Sequence, residues 1–265
     1  MLKQVQGDQA GQRNGRKLPS RPVFAAMLSA VGVFCLNSPA FAAEESARDR
    51  RNGRNLVGEF ADCVVKVNAP LARGTILQNL SPGQIARNRL ARQLINDSCA
   101  ARVNQGSGVN LSFGSDLFRY SIAEALVRKD YAVVRHFDFS SASSLNHCDP
   151  SPLNAASANG TDARSRAAQA AHFKATTAAL LSRFGECVTR RSPDGVQKLL
   201  LSAPASAAEN TAFAELAPFL GQCLTSGQVR LSREVVRGAL GLNFYRLAGA
   251  PAGTEVTTLR EEPDA

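Results

Sequence analysis

Chemistry in this chain has to begin with its six cysteines, because its other reactive residues are few and scattered. Cys63 and Cys99 stand 36 positions apart, and Cys187 and Cys223 repeat that separation. In an oxidising compartment such spacing points to two disulfides, 63–99 and 187–223. Closing a loop of that length contributes roughly 4 kcal/mol in the chain-entropy model. The alternative is that these four are small buried apolar residues. Cys148 is left over, flanked by His147 and Asp149, where an imidazole neighbour would lower the thiol pKa. Three readings of Cys148 stay open: an idle thiol, a bond to a second molecule, or a metal or redox ligand. No Cys-x-x-Cys pair occurs, and His136, His147 and His172 form no His-Glu-x-x-His spacing. A Gly-x-Ser-x-Gly elbow is also missing, and Gly106-Ser107-Gly108 reads as a loop rather than a phosphate cradle. Glu59, Asp62, Glu124, Glu186 and Glu209 are scattered, so linear order does not show whether any two face each other. These patterns imply no cofactor, no metal and no identifiable catalytic residue.

The elements that must position these residues start with an export signal. Lys3, Arg13, Arg16, Lys17 and Arg21 precede an apolar run of about 14 residues, Val23 to Leu36, where a membrane span needs about 20. Ser38-Pro39 and then Ala40-Phe41-Ala42 follow, which is the order of a cleaved secretory signal with its cut after Ala42. Phe34 is too bulky for a lipobox, so Cys35 leaves with residues 1–42. The protein is expected to be periplasmic or secreted from a bacterium, with no later membrane span.

The chain after the signal reads as two copies of one helical unit. Phe60-Ala61-Asp62-Cys63-Val64 lines up with Phe184-Gly185-Glu186-Cys187-Val188 at an offset of 124, as do Leu56 with Leu180 and Leu77 with Leu201. After a longer loop in the first half, Val109-x-Leu111-Ser112 matches Val229-x-Leu231-Ser232, and Arg119 matches Arg237. Each copy reads as about four helices, near 46–66, 69–79, 82–101 and 115–129 in the first. The second copy starts with 164–189, whose apolar positions are Phe173, Leu180, Leu181, Phe184 and Val188. Ser192-Pro193, the capping box Ser206-x-x-Glu209 and Ser232 open its remaining helices, and Pro218 should kink or split the third. The expected division is all-α: signal 1–42, repeat 43–137, linker 138–163, repeat 164–248 and a loose tail 249–265. Tyr131 to Phe139 has β character but no partner strand.

The Phe-x-x-Cys-Val and Ser-Pro segments, with Arg237-Gly238-x-Leu240-x-x-Asn243-Phe244-Tyr245-Arg246-Leu247, resemble an exported, internally duplicated helical family of Gram-negative bacteria. The resemblance implies export and architecture; it brings no activity, ligand or catalytic residue. A net charge of +9 overstates the mature surface, because residues 1–42 hold five basic residues and one acidic. Trp is absent and the three Tyr lie apart from the Arg clusters, which argues against nucleic-acid binding. Arg48, Arg50, Arg51 and Arg54, and Arg87, Arg89, Arg92 and Arg102 along the third helix, read first as solvated faces and second as contacts for an anionic polymer. The function expected is non-enzymatic binding to an envelope protein or anionic polymer, by a monomer or a Cys148-linked dimer. The alternative is an envelope hydrolase with a dispersed site.

Overall fold

A computed structural model describes residues 39–104, 115–224 and 231–259, with side chains from residue 51 onward. Residues 1–38 of the expected signal, Gly106-Ser107-Gly108, and the matched Val109, Leu111, Ser112 and Val229 lie outside the described residues. All regular structure described is helical: α1 (Pro39–Val67), α2 (Ala69–Leu77), α3 (Pro82–Arg87), α4 (Asp97–Asn104), α5 (Ser115–Asp130), α6 (Ala155–Asn159), α7 (Ala163–Arg191), α8 (Pro193–Leu201), α9 (Ala207–Cys223) and α10 (Arg233–Ala248). A short 3-10 turn, Ala91–Leu94, separates α3 from α4. Among the described residues no helix is long and apolar enough to cross a membrane. α1 runs across the expected cut after Ala42.

Local chemistry sets most helix starts. Ser81 caps α3 in a reciprocal box with Gln84, and Ser232 caps α10 through the Val235 N–H. Ser206 accepts from the Glu209 N–H, but the return bond expected of a capping box is not made: the Glu209 carboxylate takes the Ala205 N–H instead. Pro218 is accommodated within an unbroken α9. The single helix expected over 82–101 is broken twice, because the Asn88 side chain accepts from the Leu90 and Ala91 N–H groups and Asn96 accepts from Cys99. Those side-chain bonds replace helical ones and turn the chain. Arg87, Arg92 and Arg102 therefore sit exposed on three short elements, and Arg89 on the turn after α3, rather than on one helix face.

One hydrophobic core runs through both halves, so the expected repeats are not separate globules. α10 is its centre, packed against α5 on one side and α7 on another, while α5 packs on α1. Close approach depends on glycine. A Cβ at Gly238 would lie 2.5 Å from the Tyr120 side chain of α5, and one at Gly185 of α7 would lie 2.6 Å from the Ala239 carbonyl oxygen. Phe173 and Leu180, expected to be core residues of α7, are instead 74% and 55% exposed. The α7 stripe that meets the rest of the molecule there is alanine and serine.

Both connecting segments are strapped down. After α5, residues 131–139 lie on α8, where the Gln197 amide donates to the Tyr131 and Val133 carbonyls and accepts from the Arg135 N–H. Asp194 accepts from the Phe137 N–H. A lone extended stretch thus has its backbone satisfied by helix side chains instead of a partner strand. After α10, the tail expected to be loose lies on α2 over residues 249–259: the Thr257 N–H donates to Pro70, Arg73 donates to the Glu255 carbonyl, and Leu259 is buried. The linker is held as well, with Arg190 donating to the carbonyls of Phe139, Ala142 and Ser143, and Phe139 packed in a cluster of Tyr131, Phe137 and Phe244.

Candidate functional site: a cavity with two under-bonded arginines

Where the linker crosses α7, it closes a cavity of about 400 Å³ whose walls come from both halves. Ala171, Lys174, Ala175, Ala178 and Ser182 of α7 form one wall, where the small residues leave the space and Lys174 adds a cation. The α2–α3 connection, the start of α5, the His147–Cys148 segment and α10 supply the rest.

Arg119 projects from the first turns of α5 into the wall and is 7% exposed. Its Nη2 donates to Asn79 Oδ1 at 2.5 Å, its Nη1 lies 3.9 Å from the Asp116 carboxylate, and its buried Nε has no partner. Burial pulls its pKa below the usual arginine range, offset by Asp116, Tyr120 and Cys148. Arg246 of α10 lies close enough to be felt by it. The Arg246 Nη2 donates to the Asn146 carbonyl at 2.6 Å, while buried Nε and Nη1 go unpartnered. Burial, then the Arg119 charge, lower Arg246 to about 10, with Cys148 and Glu186 opposing. Arg119, with an unused N–H donor in the wall, makes the cavity complementary to an anion, and Arg246, outside the lining, adds positive charge nearby. Tyr120, pushed up to about 12 chiefly by burial, adds no negative charge at neutral pH.

Cys148 stands exposed at the rim of this cavity, and it is the free cysteine among the described residues. Its φ of +52° and the φ of +53° at Asn79 are left-handed values that non-glycine residues rarely hold. The two residues meet: Asn79 Nδ2 lies 3.2 Å from Cys148 Sγ and also donates to the Asn146 carbonyl. At Asn79, the residue after the α2 C-cap, this is a common helix ending, whereas at Cys148 it is the rarer case.

His147, next to the thiol in sequence, spends both ring nitrogens on α7. Its Nε2 donates to Glu186 at 3.0 Å and its Nδ1 accepts from Ser182 Oγ at 2.9 Å, so both ring nitrogens face α7. Burial lowers its pKa, with Arg183 and Arg246 adding to that and Glu186 opposing, which keeps the ring neutral. The groups around the thiol are Asn79 and the two arginines. In the sequence, Arg119 stands out only as a match to Arg237 and Arg246 only as part of the motif that carries the resemblance, and neither they nor Asn79 and Ser182 are marked as site residues. Their one sequence signal is polarity inside apolar helical or turn segments.

The other expected residues fall elsewhere. Cys63–Cys99 and Cys187–Cys223 are disulfides, with Cα–Cα distances of 5.7 and 5.8 Å. Arg54, read as part of a solvated cluster, is instead bonded to Glu209, and His136 pairs with Asp194 on the surface. His172 lies half-buried on α7. Among the described residues no group of three or more His, Cys, Asp or Glu could hold a metal ion. No family model, no curated protein and no solved structure matches this chain.

Proposed function

We propose that this is an exported, non-enzymatic binding protein of the bacterial envelope, built from two copies of a helical unit, and that its cavity takes a small organic anion. The observation that carries the binding reading is Arg119, nine-tenths buried in the cavity wall with its Nε unpartnered. Leaving a buried charged donor unmet costs stability, and an anion would meet it. Duplication is supported by paired helix lengths: 29 residues in α1 and α7, 9 in α2 and α8, 16 in α5 and α10. The residues before α2 and α8, Asn68 and Ser192, even share dihedrals, φ −145°, ψ 66° and φ −146°, ψ 65°. Export is supported by the n-, h- and c-region order of residues 1–42 and by the two disulfides.

Calorimetric titration of the mature protein with mono- and dicarboxylates and organic phosphates tests the binding reading. Saturable binding of an anion, weakened at least tenfold in Arg119→Gln, is expected, since that loss matches one charge-assisted hydrogen bond of about 1.5–3 kcal/mol. No heat with any of them, in a folded protein, would overturn it.

One observation favours an envelope hydrolase as the second reading. Ser182, His147 and Glu186 form an unbroken hydrogen-bonded string at the cavity wall. Glu186 also binds Arg190 and the Leu145 N–H, which makes it first an anchor for the linker. Covalent labelling by a fluorophosphonate, abolished in Ser182→Ala, would move the assignment to catalysis.

A further inference from the structure

Resting on the anion-binding reading above, we propose that Cys148 is a covalent attachment point for a small carboxylate-bearing thiol, acquired from its disulfide and held with its carboxylates toward Arg119 and Arg246. The first argument is access. Cys148 is exposed at the rim of the cavity, whereas the other described cysteines are locked in disulfides. A mixed disulfide at Cys148 therefore has no neighbouring thiol to resolve it.

The second argument is the surroundings of the sulfur. Asn79 Nδ2 points at Sγ from 3.2 Å, and the left-handed backbone at both residues holds that arrangement. Both guanidinium groups are close enough for a charge on Cys148 to act on them. The thiolate is the nucleophile of exchange, and the exposed Sγ, fixed by the Asn79 amide, is open to an incoming disulfide. The third argument is the unused donor set. The Nε of Arg119 is buried in the cavity wall without a partner, and a carboxylate on the arriving molecule would satisfy it; the Nε and Nη1 of Arg246, outside the lining, are likewise unpartnered.

The step balances without a further oxidant. Cys148 loses its proton to water, and its thiolate attacks one sulfur of a symmetric disulfide RS–SR. The Sγ–SR bond forms as the RS–SR bond breaks, and the electron pair leaves with the second sulfur as RS⁻, which takes up a proton. The disulfide is reduced by one thiol equivalent while Cys148 is oxidised by one.

The test uses the mature full chain, purified with its disulfides intact, and three probes: oxidised glutathione with carboxylate ends, cystamine with ammonium ends, and bis(2-hydroxyethyl) disulfide without charge. Adduct formation is followed by intact mass under non-reducing conditions and mapped by peptide mass. One adduct at Cys148 is expected, forming with oxidised glutathione at least tenfold faster than with cystamine at low salt, as charge steering of this size allows. That preference should vanish in Arg119→Gln/Arg246→Gln, and Cys148→Ser should give no adduct. Because the double variant could fail to fold, its circular dichroism spectrum and melting temperature are compared with the parent's, and the readout is the ratio of its glutathione and cystamine rates, in which the reactivity of the thiol cancels. Equal or faster reaction with cystamine, or a Cys148–Cys148 dimer as the main product, would overturn the proposal. S-methylglutathione, which cannot exchange, separates the two claims. If it binds but oxidised glutathione gives no adduct, the anion site stands and covalent attachment falls; if neither binds nor reacts, both fall.

Discussion

Arg119 and Arg237 each stand fifth in a 16-residue helix, α5 and α10, yet they are used in opposite ways. Arg237, 1% exposed, employs its whole fork: Nε to Glu124, Nη1 to Glu209, Ser202 Oγ and the Leu199 carbonyl, Nη2 to the carbonyls of Leu200 and Ser202. It closes the carbonyl end of α8, neutralises a carboxylate with no exposure, and so fixes how three helices meet. Arg119 is almost as deeply buried but makes one good bond and leaves Nε bare. A charge that is fully met specifies structure; one that is left partly unmet at a cavity is where a ligand belongs.

The largest effect that tests this contrast comes from removing each arginine. Arg237→Leu should cost about 3–5 kcal/mol in urea unfolding, because it leaves Glu209 with Arg54 as its one remaining guanidinium, takes a partner from Glu124 and frees the carbonyl end of α8. Arg119→Leu should stay within about 1 kcal/mol of the parent or exceed it, while losing anion binding, the trade expected at a functional position. Equal losses for both would dissolve the distinction.

Next come the disulfides, which secure unlike segments. Cys187–Cys223 joins two long helices, whereas Cys63–Cys99 ties down the broken run α3–α4. Replacing either pair by alanine should cost about 2–5 kcal/mol. Hydrogen exchange should show replacement of Cys63–Cys99 opening residues 82–104 locally and replacement of Cys187–Cys223 leaving α9 protected. Reversal would mean that the short elements stand without their staple.

A smaller effect attaches to the straps. A Cβ at Gly74 would fall 1.9 Å from the Thr257 carbonyl oxygen, so Gly74→Ala should dislodge the tail. The expected cost is about 1–2 kcal/mol, given the few bonds and the one buried leucine lost. Limited proteolysis should then cut near residue 255 and spare 131–139.

The smallest is a pH effect at the cavity. Burial lowers the folded-state pKa of His147 below its ordinary value of 6.5, so the neutral ring is the one that fits. Its contribution is complete above pH 6.5 and is lost as pH falls through the depressed folded value. His147→Asn should flatten the stability–pH curve in that window and leave it unchanged above.

Much of this architecture was legible because it rests on local chemistry. Ser81-Pro82 and Ser232 announce helix starts in the residues themselves, and equal cysteine spacing announced both disulfides. The break at Asn88 was not legible, since a capping asparagine and an ordinary helical one look alike until the competing backbone is seen. Phe173 and Leu180 misled for a related reason: periodicity marks a stripe on α7 but not whether anything covers it. The cavity was hidden more deeply. Asn79, Arg119, Cys148 and Arg246 come from four separate stretches, and what singles out the two arginines is bonds they fail to make.

The two straps have a consequence for the order of assembly. The segment after α5 lies on α8, and the segment after α10 lies on α2, so each half is finished by the other. Arg73 and Glu255 meet across 182 positions of sequence. A chain emerging N-terminus first must therefore hold α2 uncovered until its last residues appear. Contacts this distant slow folding and leave apolar surface open meanwhile. The Cys63–Cys99 disulfide can form before that closure, and would then hold the early half in register until the late strap arrives.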